Sequence, residues 1–182
     1  MRNKTLRNSY VRDIKDYVSG ASLSIQTGTS YTGTDRYLHN SLIQWDVFPE
    51  TNDTFIDIKG FNIYELITTG TLQKPAMEIR VFDYCGMLVT VDNVFKLADD
   101  STGNTTARNI KSIVKVKTTD YEEIKENGTA LAAVAYVQLS EPFTIRQQQN
   151  DTTMRAIALT DTAAPNFDNS ATLFIDLVVK VQ

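Results

Sequence analysis

From residue 42 onward, apolar and polar residues alternate with a period of two in one run after another. LIQWDVF at 42–48 sets Ile43, Trp45 and Val47 on one side. In TFIDIKGF at 54–61, Ile56 and Ile58 oppose Asp57 and Lys59. In MEIRVFDY at 77–84, Met77, Ile79 and Val81 oppose Glu78 and Arg80. Successive side chains of an extended chain point to opposite sides, so each run predicts a half-buried β-strand. MLVTV at 87–91, IKSIVKVKT at 110–118, ALAAVAYVQL at 130–139, EPFTIR at 141–146 and MRAIALT at 154–160 follow the same grammar. The cleanest pattern is TLFIDLVVKV at 172–181, where Leu173, Ile175, Leu177, Val179 and Val181 oppose Asp176 and Lys180. Clusters of Gly, Asn, Asp and Thr separate the runs and supply the turns. The alanines around 130–135 predict closely packed sheets or a subunit contact.

The first twenty residues have a different rhythm. Leu6, Tyr10, Ile14 and Tyr17 with Val18 recur at helical spacing, while Arg2, Lys4, Arg7, Arg12 and Lys15 fall mostly elsewhere, and Gly20 is a stop signal. This predicts a short, basic, amphipathic helix over 1–20. It either plugs one end of the domain or docks on a neighbouring subunit or nucleic acid. A short turn is expected around NIYELITTG at 62–70. With no linker to divide the rest, residues 21–182 form one domain. The fold expected is all-β: an antiparallel β-sandwich, jelly-roll-like, with a short N-terminal helix.

Charge narrows the partners. Lys and Arg total 18 against 22 Asp and Glu, a net charge of -4. A dedicated nucleic-acid binder needs a large cationic surface to displace counterions, so nucleic acid is not the expected partner. The charged N-terminal stretch lacks the apolar run of a signal peptide, and no segment approaches the roughly 20 apolar residues that span a bilayer. A single cysteine, Cys85, forms no disulfide within the chain.

Candidate chemistry is sparse. His39 is the one histidine, so any serine or cysteine triad would have to use it. Cys85, in FDYCGM, reads as a small core filler. One Cys and one His cannot furnish a zinc site. Asp92 with Asn93, Asp99 with Asp100 and Asn104, and Asp161 through Asp168 and Asn169 offer oxygen donors, but in no EF-hand order, and turn geometry accounts for them. A carboxylate pair drawn from Asp57, Glu65, Glu78 and Asp83 could hydrolyse a glycoside only if two of them converged. Alternation turns Asp57 and Glu78 outward. The reading is a non-enzyme with no cofactor and no metal.

Strands rich in Thr, Val and Ile, joined by polar loops along the whole chain, give a style that resembles virion proteins of tailed bacteriophages. The closest likeness is to auxiliary head proteins, including small β-rich components of crAss-like phages. The resemblance implies a protein made in the host cytoplasm that joins a pre-formed capsid or connector in many copies and stabilises the shell through subunit contacts. Stable contacts bury on the order of 1,600 Å² in total. Leu6, Tyr10, Tyr17, Tyr31 and Tyr37 are the expected interface residues, because aromatic side chains dominate interface energetics. Trp45, between Ile43 and Val47, reads as core. Two other classes compete: the major coat subunit of a small icosahedral virus, and a carbohydrate-binding module with Tyr31, Tyr37 and Tyr64 as stacking platforms.

Overall fold

The computed structural model describes residues 16–23, 31, 33–47, 55–82, 89–96, 109–146, 153–161, 165, 167 and 171–181. Among these residues nine strands follow one another: β1 (Asp16–Leu23), β2 (Ile43–Asp46), β3 (Phe55–Leu66), β4 (Met77–Phe82), β5 (Ile110–Val116), β6 (Tyr121–Glu126), β7 (Thr129–Arg146), β8 (Thr153–Thr160) and β9 (Thr172–Val181). A 3-10 turn, Thr118–Asp120, precedes β6. Among the described residues no helix is long and apolar enough to cross a membrane.

The strands form two antiparallel sheets, ordered β1-β9-β3-β7-β6 and β2-β8-β4-β5. The pairing is nested. β1 pairs with β9, β2 with β8, β3 with β7 and β4 with β5, as if the chain were folded back on itself about the β4–β5 connection. Alternate pairs go to alternate sheets, and the β9–β3 and β8–β4 ladders join them within each sheet. β6 is an addition that pairs with the following strand, β7.

The inward residues of both sheets meet in one core. Ile43 and Trp45 of β2, Met77 and Ile79 of β4, and Met154, Ala156 and Ala158 of β8 pack in the same cluster as Ile56, Ile58, Phe61 and Ile63 of β3 and Leu173, Ile175, Leu177 and Val179 of β9. Trp45 ties the layers together: its indole N–H donates to the Ile175 carbonyl at 2.9 Å, and its ring lies 6.1 Å from that of Phe61. Trp45 is core, as its alternation predicts. Ala133 and Ala135 are fully buried on β7, where small side chains let the layers approach.

β3 keeps its hydrophobic face inward only by means of a bulge. β9 alternates without interruption, but β3 buries Ile56 and Ile58 at even positions and Phe61 and Ile63 at odd ones. The ladder jumps from Ile58 opposite Val179 to Gly60 opposite Val178, so one extra residue restores the phase. Gly60 is buried there, and a Cβ on it would run into the Val137 carbonyl oxygen.

Several expectations are corrected, among them the strand at MLVTV, whose described residues 89–91 form no strand and lead into a turn. The helix predicted over 1–20 is not formed at its C-terminal end, because Asp16–Leu23 is a strand with eight residues in register with β9. Gly20 lies inside that strand and stops nothing, and the boundary placed between residues 20 and 21 falls within it. A long strand partner outweighs the helical spacing of Tyr17 and Val18, and a β-branched residue and a glycine are weak helix formers in any case. Residues 1–15, including Leu6 and Tyr10, lie outside the described residues. The turn expected at 62–70 is the continuation of β3 as far as Leu66. EPFTIR is not separate from ALAAVAYVQL, and both belong to β7.

Gly60→Ala should destabilise the fold by about 1–3 kcal/mol, the usual cost of forcing a methyl group into a packed site. The midpoint of urea unfolding reports it. An unchanged midpoint would mean that β3 and β7 part freely at the bulge.

Candidate functional site

The reactive groups singled out in the sequence do not come together. His39 is fully buried, and it repairs a strand ladder. Residues 35–38 run alongside the end of β8: the Leu38 N–H donates to the Ala158 carbonyl and the Thr160 N–H to the Arg36 carbonyl. The next partner of β8 would be the Leu38 carbonyl, but that oxygen accepts from the Tyr31 hydroxyl at 3.2 Å. The His39 ring takes its place, and Nε2 accepts the Ala158 N–H at 3.1 Å. The proton of the neutral ring therefore sits on Nδ1, which is buried without a hydrogen-bond partner among the described residues. Burial pulls the imidazole down from its ordinary value to about 4.

The carboxylates are likewise engaged in holding structure. Glu65 is fully buried, and its two oxygens accept the backbone N–H groups of Gln73 at 2.8 Å and Lys74 at 2.6 Å. The Tyr121 hydroxyl donates to the Pro75 carbonyl at 3.2 Å, so this carboxylate and this phenol fix the loop between β3 and β4 from two sides. Glu78 pairs with Arg80 and Lys115. Asp57 accepts the Thr144 hydroxyl at 2.6 Å across the β3–β7 ladder. Cys85 and Asp83 lie outside the described residues, as do Asp99, Asp100, Asn104, Asp168 and Asn169. Asp92 sits in a turn at positive φ, and Asp161 pairs with Lys115.

Two of the tyrosines expected at an interface, Tyr31 and Tyr37, serve the interior instead. Tyr31 is buried edge-on against Phe167, and Tyr37 is fully buried with Phe82, Ile157 and Leu159 in a second cluster. Tyr17 lies in β1 opposite Val179. That second cluster covers the outward side of the four-stranded sheet with the segments 33–42 and 89–96. Arg80 clamps the cover: its guanidinium lies 4.2 Å from the centre of the Phe95 ring and 3.9 Å from Asp35.

The outward side of the five-stranded sheet has an exposed apolar surface. Register sets out three rows on it. Leu66 of β3 stands between Ala132 of β7 and Thr172 of β9, and Ile124 of β6 lies on the far side of Ala132. In the next row Tyr64 stands between Val134 and Phe174, and in the third Asn62 stands between Tyr136 and Asp176. Leu66 is 41% exposed, Ile124 56% and Tyr136 65%. A groove of about 500 Å³ runs over Leu66, Ile124, Leu131, Ala132 and Phe174. A second cleft, of about 320 Å³, lies beside the bulge and is bordered by Gly60, Asn62, Tyr136, Val137, Gln138 and Val178. Large apolar side chains grouped in the open, where solitary ones would be unremarkable, mark a contact surface. Sequence reasoning passed over Tyr136 and Ile124. The alternation of Val134, Tyr136 and Gln138 against Ala133 and Ala135 is the signal that places Tyr136 outward.

Compared with protein-family models, with curated proteins and with solved structures, the chain has no match.

The buried imidazole predicts acid sensitivity. Below its ordinary value near 6.5, the unfolded chain takes up a proton that the folded chain refuses, so stability falls as pH drops from about 6.5 towards 4. The loss over that window is on the order of 3 kcal/mol. Urea unfolding from pH 8 to 4 should show a shallower acid slope for His39→Gln than for the wild type. Equal slopes would refute the assignment.

Proposed function

We propose that this chain is a non-enzymatic structural protein of a virion, an auxiliary or decoration capsid protein that stabilises the shell through subunit contacts. The fold proposed is a jelly-roll β-sandwich. The nested strand pairs distributed to two sheets support it, since that is how eight antiparallel strands form a double Greek key, with β6 as an extra edge strand. Such folds host many functions, so the role is argued from the surface.

The observation that carries the reading is the difference between the two outward faces. On the four-stranded sheet β8 and β4 are covered by the chain's own loops, while Leu66, Ile124 and Tyr136 leave the five-stranded sheet open to a partner. The groove over Leu66, Ile124 and Ala132 suits an apolar ridge of a neighbouring shell subunit. Commitment of His39, Glu65 and Glu78 to hydrogen bonds and ion pairs that hold loops and ladders supports a role without catalysis.

The test is incorporation into particles. Leu66→Asp with Ile124→Asp places two charges in the groove without touching the core, so the variant should unfold at the wild-type midpoint. In a density gradient, wild-type chain should travel with purified particles in many copies, and the double variant should remain at the top. Absence of the wild-type chain from particles, or full incorporation of the variant, would contradict the reading.

A further inference from the structure

The cleft beside the β3 bulge has a chemistry of its own, separate from the apolar groove and independent of the virion reading. Tyr64 and Tyr136 are diagonal neighbours on the outward face, since Tyr64 pairs with Val134 and Asn62 with Tyr136. Asn62, beside Tyr64 on β3, stands between Tyr136 and Asp176 of β9. Asn62, Tyr136 and Asp176 all stand close to the Tyr64 hydroxyl. The Tyr64 phenol is pushed up by burial and by the nearby Asp176 and Tyr136, with the Asn62 amide acting the other way. Burial also raises Asp176. Gln138 adds an amide at the border, and Gly60 lines the cleft at the bulge.

Several ligand classes fail against this arrangement. An added peptide strand needs free backbone groups, but β3 lies mid-sheet with β7 on one side and β9 on the other. Nucleic acid needs cations for its phosphates, whereas Asp176 faces the site and Lys59 is the one cation bordering the cleft. A metal needs converging ligands, and among the described residues no group of three His, Cys, Asp or Glu forms. A sugar ring fits both halves of the surface. Its apolar C–H face lies on a tyrosine ring, and its hydroxyls, each both donor and acceptor, meet a carboxylate and two amides. A cleft of about 320 Å³ has room for a single pyranose.

The geometry points to a carbohydrate-binding site on the outward face of the five-stranded sheet, with Tyr136 and Tyr64 as the stacking platform and Asn62, Asp176 and Gln138 reading the hydroxyls. It takes neutral sugars in preference to acidic ones, because Asp176 repels a second carboxylate.

Titration of the full chain with gluco-, manno-, galacto- and xylo-configured tetrasaccharides, followed by tyrosine fluorescence and calorimetry, tests this. At least one configuration should bind saturably below about 10 mM. Tyr136→Ala should weaken that binding about tenfold or more, while Tyr136→Phe should keep most of it because the ring remains. Asp176→Asn should weaken it as well, and Leu66→Asp, in the neighbouring groove, should leave it within about twofold. Since Tyr136 is exposed, its truncation leaves the core intact, and an unchanged unfolding midpoint verifies this. Failure of all four sugars to bind, or binding that Tyr136→Ala leaves unchanged, would overturn the proposal.

Discussion

Each sheet of this protein has an apolar side that needs a cover, and each serves as the cover of the other. That mutual burial is the constraint from which the rest follows. It explains why nested strand pairs are dealt alternately to the two layers and why Trp45 can reach from one sheet to a carbonyl of the other. It explains the bulge at Lys59–Gly60 as well. Without the extra residue, half of β3 would turn Phe61 and Ile63 to solvent and Asn62 and Tyr64 to the core.

Once the inner sides are satisfied, the outer sides are free to differ, and they do. β8 is apolar on both sides: Met154, Ala156 and Ala158 face the shared core, and Ile157 and Leu159 face a second cluster beneath the loops. Those loops are anchored by His39, by the bridge of Tyr37 to Leu159, and by Arg80 under Phe95. Nothing comparable among the described residues lies over Leu66, Ile124 and Tyr136. A charged edge strand borders this open side: Glu122, Glu123, Lys125 and Glu126 of β6 are all exposed, which discourages unintended strand pairing at that edge. On the proposed reading, the molecule hides one outer face with its own chain and reserves the other for partners.

Most strands were legible because burial on one side imposes alternation. β2, β4, β5, β8 and β9 can be read from it directly. β6 could not be, since YEEIKE, an edge strand, buries only Tyr121 and carries no alternating apolar signal. β1 was obscured because Tyr17 and Val18 also fit helical spacing, and only the partner strand, with register pairs such as Leu23 with Leu173 far apart in the chain, decides between the two. Tyr31 and Tyr37 misled for a different reason. A loop-borne tyrosine reads as exposed, but here the loop itself is folded over the sheet. Burial of Glu65 was equally invisible, because the two backbone N–H groups that satisfy it belong to a loop whose path no local pattern encodes. Chemistry local to a strand could be read; chemistry made by loop placement could not.

The central claim, that the open side of the five-stranded sheet is the working surface, can be tested by oxidative footprinting of side chains in free and assembled protein. The account predicts that Leu66 and Ile124 lose reactivity on assembly while Ile113, exposed on β5 of the other sheet, keeps it. Protection of Ile113 with Leu66 and Ile124 still fully reactive would contradict it.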